Sequence, residues 1–319
     1  MRRLLKQFLG LGMIALLAGC GKDVDVFTPA VLESGDINAF FEAAETAPVQ
    51  YEWDASKEVT ITLPSKGQVI IPANTFALEN GQSVTGMVQT NIIEISSKGS
   101  LLGNRQNTTS EGMLVNAIST LYMEVTQDGQ PLAIDTGKQI RIQVVESDYT
   151  SGLKVFSGDD SEGFINWNEV QNGDYPIRLV EIPNGENSLL KGVEFNVHQL
   201  GWLQCGQFLQ AEDGMGDASL CVEMPVGFSS KNTAAYLVFR NFDTVIPLDD
   251  FDMSGLPIAC KDQLLAGYWA DLVVIAQEGE DGEYFFAKEF LAISSENLTI
   301  NIVPERVTLS DIMLALEGL

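Results

Sequence analysis

Val59-Thr60-Ile61-Thr62-Leu63-Pro64-Ser65-Lys66-Gly67-Gln68-Val69-Ile70-Ile71-Pro72 decides the fold class. Val59–Leu63 is an alternating, β-branched run, Pro64-Ser65-Lys66-Gly67 breaks it, and Gln68–Ile71 follows until Pro72 stops the chain again. Period-two alternation bounded by turn residues is the signature of paired strands. The same unit recurs toward the C-terminus. Glu79-Asn80-Gly81 is expected to make a tight turn before Gly86–Ile95, because Asn-Gly supplies the positive φ values of a two-residue hairpin. Ala117–Thr126, Gln139–Val145 and Ile177–Ile182 come next, with turns at Asp128-Gly129 and Asn172-Gly173. A second set comprises Val193–Leu203, Leu220–Met224, Ala234–Arg240, Leu272–Gln277, Glu283–Ile293 and Leu298–Val303. Helical periodicity is nearly absent until the end. There Thr308 or Ser310 can cap a short helix, Asp311 favours its positive end, and Ile312, Met313, Leu316 and Leu319 line one side. Many short strands without intervening helices imply an all-β chain of two antiparallel β-sandwich domains with a short C-terminal helix.

Toward the N-terminus the pattern stops at Trp53. Residues 20–53 read as a tether carrying one short helix, in which Asp36 caps and Phe40, Phe41 and Ala44 form the apolar side. Residues 1–19 have the three parts of a signal peptide: basic Arg2, Arg3 and Lys6, an apolar stretch from Phe8 to Leu17, and small residues before a cysteine. That stretch is about half of the ~20 residues a spanning helix needs. Leu17-Ala18-Gly19-Cys20 matches the lipobox of lipoprotein signal peptidase, so the mature chain is expected to begin at Cys20 and carry lipid there. Several acyl chains anchor stably where a single one binds only marginally. Gly21 after the cysteine suits an outer-membrane lipoprotein. Gly21-Lys22-Asp23-Val24-Asp25 has the form of a Lys-acidic surface-export signal and equally that of a solvated spacer.

The chain has 319 residues with 18 Lys+Arg, 44 Asp+Glu and one His, a net charge of −26. Loss of Arg2, Arg3 and Lys6 with the signal takes the mature chain to about −29, which repels phosphate backbones and makes nucleic acid an unsuitable partner. The length suits about two cores: residues 54–152 as the first sandwich, 153–216 as a connecting β-region and 217–319 as the second sandwich with its terminal helix. The divide falls near Gly152–Gly173 or Trp202–Gly216. Of four cysteines, Cys20 is assigned to lipid, leaving an odd three. Cys205–Cys221 is the pair nearest in sequence, and three buried thiols are the alternative to it; Cys260 completes the set.

With the strands placed, Gly67–Phe76, Asn80-Gly81, Val84-Thr85-Gly86 and Ile93-Glu94-Ile95 resemble the N-terminal region of uncharacterised Bacteroidetes lipoproteins, themselves distantly similar to ZU5-type and Ig-like β-sandwiches. Gly158-Asp159-Asp160, Ile165-Asn166-Trp167 and Leu200–Cys205 fit the same group, although Gln204 and Gly206 replace its usual Asn and Asp. The resemblance spans most of residues 60–319 and implies a fold and an envelope location, not a reaction. Its motifs make sense as fold devices: Pro72 ends a strand, and Trp167 and Trp202 are large anchors. Self-cleavage, seen in some ZU5-type chains at His-Phe-Ser, lacks its serine in His198-Gln199-Leu200.

Chemistry-bearing patterns are sparse. A single histidine, His198, rules out multi-histidine zinc sites and leaves a serine triad one candidate base; on a strand it is expected to face solvent or meet a backbone carbonyl. Asp159, Asp160, Glu162, Gly163 and Glu169 approach a calcium loop, but its first position would be Gly158, which has no side-chain oxygen. Glu278–Glu283 reads as a solvated hairpin tip. No metal or cofactor is called for. Trp53, Trp167 and Trp202 are expected in cores, whereas Tyr268-Trp269, beside Gly267, is the candidate ligand-binding pair. The expected function is a lipid-anchored, non-enzymatic binding or scaffold module of the outer membrane. Its partners would be the membrane through Cys20 and an envelope protein or glycan. The alternatives are a glycan hydrolase using two carboxylates and an accessory subunit of an outer-membrane complex.

Overall fold

A computed structural model describes residues 35–147, 151–159, 165–170, 176–185, 188–210, 217–279, 283–294 and 297–319. The fold is all-β, with antiparallel pairing predominating and, among the described residues, three short helices. Leu17, Ala18, Gly19 and Cys20 lie outside the described residues, as do Asn172-Gly173 and the acidic positions Asp160, Glu162, Glu280 and Asp281. No helix among the described residues is long and apolar enough to cross a membrane.

The opening stretch folds as read: Val59–Thr62 and Gln68–Ile71 pair antiparallel, with Thr62 opposite Gln68. They edge a five-stranded sheet that continues through Ile140–Val145, Leu189–Val197 and Arg178–Pro183. The facing sheet is built on the 15-residue strand Met113–Gln127, which pairs with Met87–Ile95 on one side and Gly201–Phe208 on the other. Between the sheets lies a core that includes Trp53, Ile71, Phe76, Val125, Ile142 and Phe195. From Gly201–Phe208 the pairing runs on through Lys154–Asp159, Asn166–Glu169 and Thr109–Ser110 and returns to Met113–Gln127, closing a small ring. Val115, Phe156, Ile165 and Trp167 cluster there.

The second sandwich pairs a four-stranded sheet (Asp250–Asp252, Ile258–Leu265, Asp217–Glu223, Leu298–Asn301) with a five-stranded one (Val245–Pro247, Thr233–Phe239, Trp269–Glu278, Glu283–Ala292, Glu305–Val307). Leu220, Leu237, Phe239, Leu272 and Val274 fill the space between them. Alternate residues of the same central strands, Tyr236, Val238, Val273 and Ile275, face outward into a third cluster with Ile93 and Ile95 of the first sandwich and all three helices. A strand buried on both faces should read as a continuous apolar run, and Leu272-Val273-Val274-Ile275-Ala276 does. The sandwiches are also hydrogen-bonded to each other. Thr108 N–H donates to the Val245 carbonyl (2.9 Å), Ala117 N–H to Asp243 (3.0 Å) and the Thr244 hydroxyl to Val115 (2.8 Å).

Several expectations are corrected. The tether does not extend to Trp53: helix Asn38–Ala44 buries Phe40 and Phe41, and Val49–Asp54 is an edge strand beside Met87–Ile95. Its first turn starts at Ile37, with the Asp36 carboxylate accepting from Asn38 N–H at 3.0 Å. The strands of the connecting region pair within the first sandwich, and those of the second begin at Asp217. Val193–Leu203 is two strands in opposite sheets, broken at His198–Leu200 before Gly201 (φ 96°). Asn80-Gly81 belongs to a three-residue loop closed by Leu78 and Gln82, with only Gly81 at positive φ; this is a type I turn followed by a left-handed residue. Cys221 pairs with Cys260 and not with Cys205. Cys221 and Cys260 are direct cross-strand partners with Cα atoms 4.1 Å apart, whereas Cys205 lies in the first core, where burial pushes its thiol up to about 12.

The C-terminal helix Leu309–Glu317 has Thr308 as its N-cap. The Thr308 hydroxyl accepts from Asp311 N–H, and the Asp311 carboxylate accepts from Thr308 N–H, a reciprocal capping box. Its Leu316 backbone lies so close to Gly99 of helix Lys98–Gly103 that a Cβ there would fall 2.2 Å from the Leu316 carbonyl oxygen. Glycine permits that approach.

Candidate functional site

Successive side chains along extended backbone point to opposite faces, and this separates Tyr268, just before the strand, from Trp269, its first residue. Tyr268 turns toward the second core, its ring 5.2 Å from Phe242 and 6.2 Å from Phe239, and its hydroxyl donates to the Gln210 carbonyl at 2.7 Å. As half of an exposed pair it is therefore corrected. Trp269 begins the strand Trp269–Glu278 on the outer face and is 55% exposed.

Trp269 belongs to a cluster drawn from three neighbouring strands. Phe290, 54% exposed, meets it edge to face at 6.0 Å. The Arg240 guanidinium lies 4.3 Å from the centre of the Phe290 ring, and its Nε and Nη2 both donate to Asp271 Oδ1, at 3.1 and 2.7 Å. Lys288 Nζ is 3.7 Å from Asp271 Oδ2, and Lys98 Nζ donates to the carbonyls of Phe239 and Arg240 at 3.0 and 3.2 Å. Asp271 is buried, so its charge needs these partners. The ion pair fixes the guanidinium plane, which stacks on Phe290 and in turn limits where Trp269 can lie. Exposed Trp, Phe and Arg held rigidly in this way have the composition of binding hot spots. Sequence reasoning reached Trp269 but missed Phe290, Arg240, Asp271 and Lys288, because only strand register brings them together.

Two of the clefts beside helix Asn38–Ala44 share Arg105. One of about 430 Å³ is lined by Glu42, Glu45, Arg105 and Trp202, and one of about 300 Å³ by Phe41, Arg105, Tyr236, Pro247 and Phe251. Arg105 stands between them, over the Phe41 ring at 4.3 Å and bonded to the Asn38 side chain. Trp202 is thus a half-buried wall, its ring tilted against Tyr122 at 5.1 Å, and not a fully buried anchor. Trp53 and Trp167 are buried. Glu42 lies on the helix and Glu45 is its C-cap residue, in extended backbone; both line the first cleft.

His198 and Glu194 are tied into the fold. His198 Nδ1 donates to the Lys138 carbonyl at 2.6 Å. Burial alone would raise Glu194, but hydrogen bonds from Gln143 and Arg178 bring its pKa below the usual range. Burial, with Glu146 nearby, raises Asp243 against the opposing pull of Lys98; Asp243 lines neither cleft. Among the described residues no group of three or more His, Cys, Asp or Glu side chains is placed to hold a metal ion. No protein-family model matches the chain, and a search of curated proteins found no match.

Proposed function

We propose that this protein is a lipid-anchored envelope protein whose double sandwich is a non-enzymatic binding module, with the Trp269–Phe290–Arg240 surface as its docking point. The observation that carries the reading is that surface: two half-exposed aromatic rings fixed by a buried ion pair on a sheet otherwise covered by helices. Its position supports the reading too. Gly35 lies against the backbone of Gln277, at the other end of the strand that starts with Trp269. Eight residues of strand separate the two ends by about 27 Å. The described chain thus starts at one end of this strand, and the aromatic surface lies at the other. The acidic composition and the lipobox fit an outer-membrane lipoprotein of the Bacteroidetes type.

The test is a pull-down from detergent-solubilised envelope with the lipid-bearing chain. A stable partner or a bound glycan is expected with the unmodified protein and lost with Trp269→Ala. Retention of every partner by Trp269→Ala would remove the docking assignment. Cys20→Ser is expected to release the protein from the membrane or leave the precursor uncleaved, and unchanged size and membrane association would refute the anchor.

A further inference from the structure

We propose that the bare edge of strand Glu283–Ala292 takes up an extended acidic-apolar peptide segment of a partner protein as an added strand. The inference rests on the binding-module reading above and names its ligand class. Glu283–Ala292 pairs with Trp269–Glu278 along all ten residues, but on its other side Glu305–Val307 covers only Tyr284–Phe286. From Ala287 to Ala292, about 20 Å of strand, no described residue pairs with the outer edge.

The direction of the free amides follows from two hydrogen bonds. Arg240 N–H donates to the Trp269 carbonyl at 3.0 Å, so Trp269 turns its amide groups away from Ala292. Ile293 N–H donates to the Tyr268 carbonyl at 2.8 Å, so Ile293 turns toward the neighbouring strand. Alternation then directs the N–H and C=O groups of Lys288, Phe290 and Ala292 outward, in the same phase as Tyr284 and Phe286, which stand opposite Val307 and Glu305. A peptide laid there would continue the line of Glu305–Val307 and satisfy a ladder that is otherwise left to water.

The face beside that edge sets the chemistry of the occupant. Phe290 stands opposite Asp271 and Lys288 opposite Val273, so both side chains rise on the Trp269 side. A neighbouring strand would place alternate side chains against them: an apolar one at Phe290 and Trp269, an acidic one near Lys288. Beside this edge two cations, Arg240 and Lys288, share one carboxylate, Asp271, in a chain with net charge −26, and Glu289 points to the opposite face. A sugar would need only the Trp269 ring and no strand edge.

The experiment pans a display library of random decapeptides against the full lipid-bearing chain in detergent and counter-selects against Ala292→Pro. That substitution removes one outward N–H without taking a bond from the ladder to Trp269–Glu278. Enriched peptides should alternate acidic and apolar residues and lose at least ten-fold in affinity when methylated at alternate amides. Phe290→Ser should weaken them at least five-fold, and an unchanged melting curve would show that each variant folds. Equal binding of methylated peptides, or no enrichment over Ala292→Pro, overturns the proposal. If oligosaccharide-array binding that depends on Trp269 is found instead, strand addition is wrong while the binding-module reading stands; if envelope pull-down, peptides and sugars all fail, that reading falls as well.

Discussion

Val273 and Ile275 are fully buried, whereas Trp269, on the same face of the same strand, is more than half exposed. All three are large and apolar, and all share one parity, so the difference lies in what covers them. Helices Asn38–Ala44 and Leu309–Glu317, from opposite ends of the described chain, and Lys98–Gly103, from the first sandwich, close over one end of the sheet. Among the described residues, the other end carries the Arg240–Asp271–Lys288 ion pairs and the Lys98 ammonium on the Phe239 and Arg240 carbonyls. The covered end is where the sandwiches are joined, and the bare end is where the sheet can meet something else.

The strongest way to break this comparison is to remove a covering side chain. Phe40 is fully buried, 5.2 Å from Phe41 and 6.3 Å from Tyr284. Phe40→Ala leaves a cavity under the helix and is expected to cost about 3 to 5 kcal/mol in urea unfolding. Because the cluster is shared by both sandwiches, the loss should destabilise the whole body in one transition. A loss below about 1 kcal/mol would mean that the helix merely rests on the sheet.

The opposite sheet of the second sandwich offers a second, smaller lever. The Cys221–Cys260 bridge spans 39 residues, and a loop of that size stabilises by up to about 4 kcal/mol through the unfolded chain. Replacing both cysteines by alanine is expected to lower stability by about 2 to 4 kcal/mol while leaving Cys205 unreactive toward thiol reagents in the folded state. Rapid labelling of Cys205 in native protein would contradict its place in the first core.

Thr308→Ala loosens the covering from the C-terminal side and should cost about 1 kcal/mol. Its pH dependence has a definite sign. The Thr308 side-chain and backbone hydrogen bonds hold the Asp311 pKa below its ordinary value. The stabilisation is therefore present above the unfolded carboxylate pKa and fades as pH falls through the folded one. The gap between Thr308→Ala and the unmodified chain should therefore be wider at pH 7 than below the folded Asp311 pKa, where the hydroxyl loses its bond to the carboxylate but keeps the one it accepts from Asp311 N–H; a gap of the same size at both would show that the hydroxyl–carboxylate bond does not form.

How much of this was legible depends on whether the signal is local. The hairpin Val59–Ile71 and the capping of the last helix were readable because propensity, turn chemistry and periodicity agree within a few residues. Helix Lys98–Gly103 was missed. Ser97 is its N-cap, accepting from Ser100 N–H, but Gly99 and Gly103 disguise the helical run, and Gly99 is there for contact with Leu316. The disulfide followed register and not sequence distance. Parity could have separated Tyr268 from Trp269, since neighbours on a strand cannot both face solvent from a half-buried sheet. Nothing local could have joined Arg240, Asp271 and Phe290, whose relation is written in the order of strands.

The smallest expected effect on stability is the most informative about function. Trp269→Ala removes a large ring from the bare end of the sheet, where it touches Phe290 and little else is sealed beneath it. It should change unfolding free energy by about 0.5 kcal/mol or less, as exposed substitutions do, while abolishing partner capture. Side chains that serve the fold lose stability when cut and those kept for binding do not, so Phe40→Ala and Trp269→Ala should fall at opposite ends of one scale. If Trp269→Ala instead destabilises the protein as much as Phe40→Ala, the ring belongs to the core and the outer face has no free end.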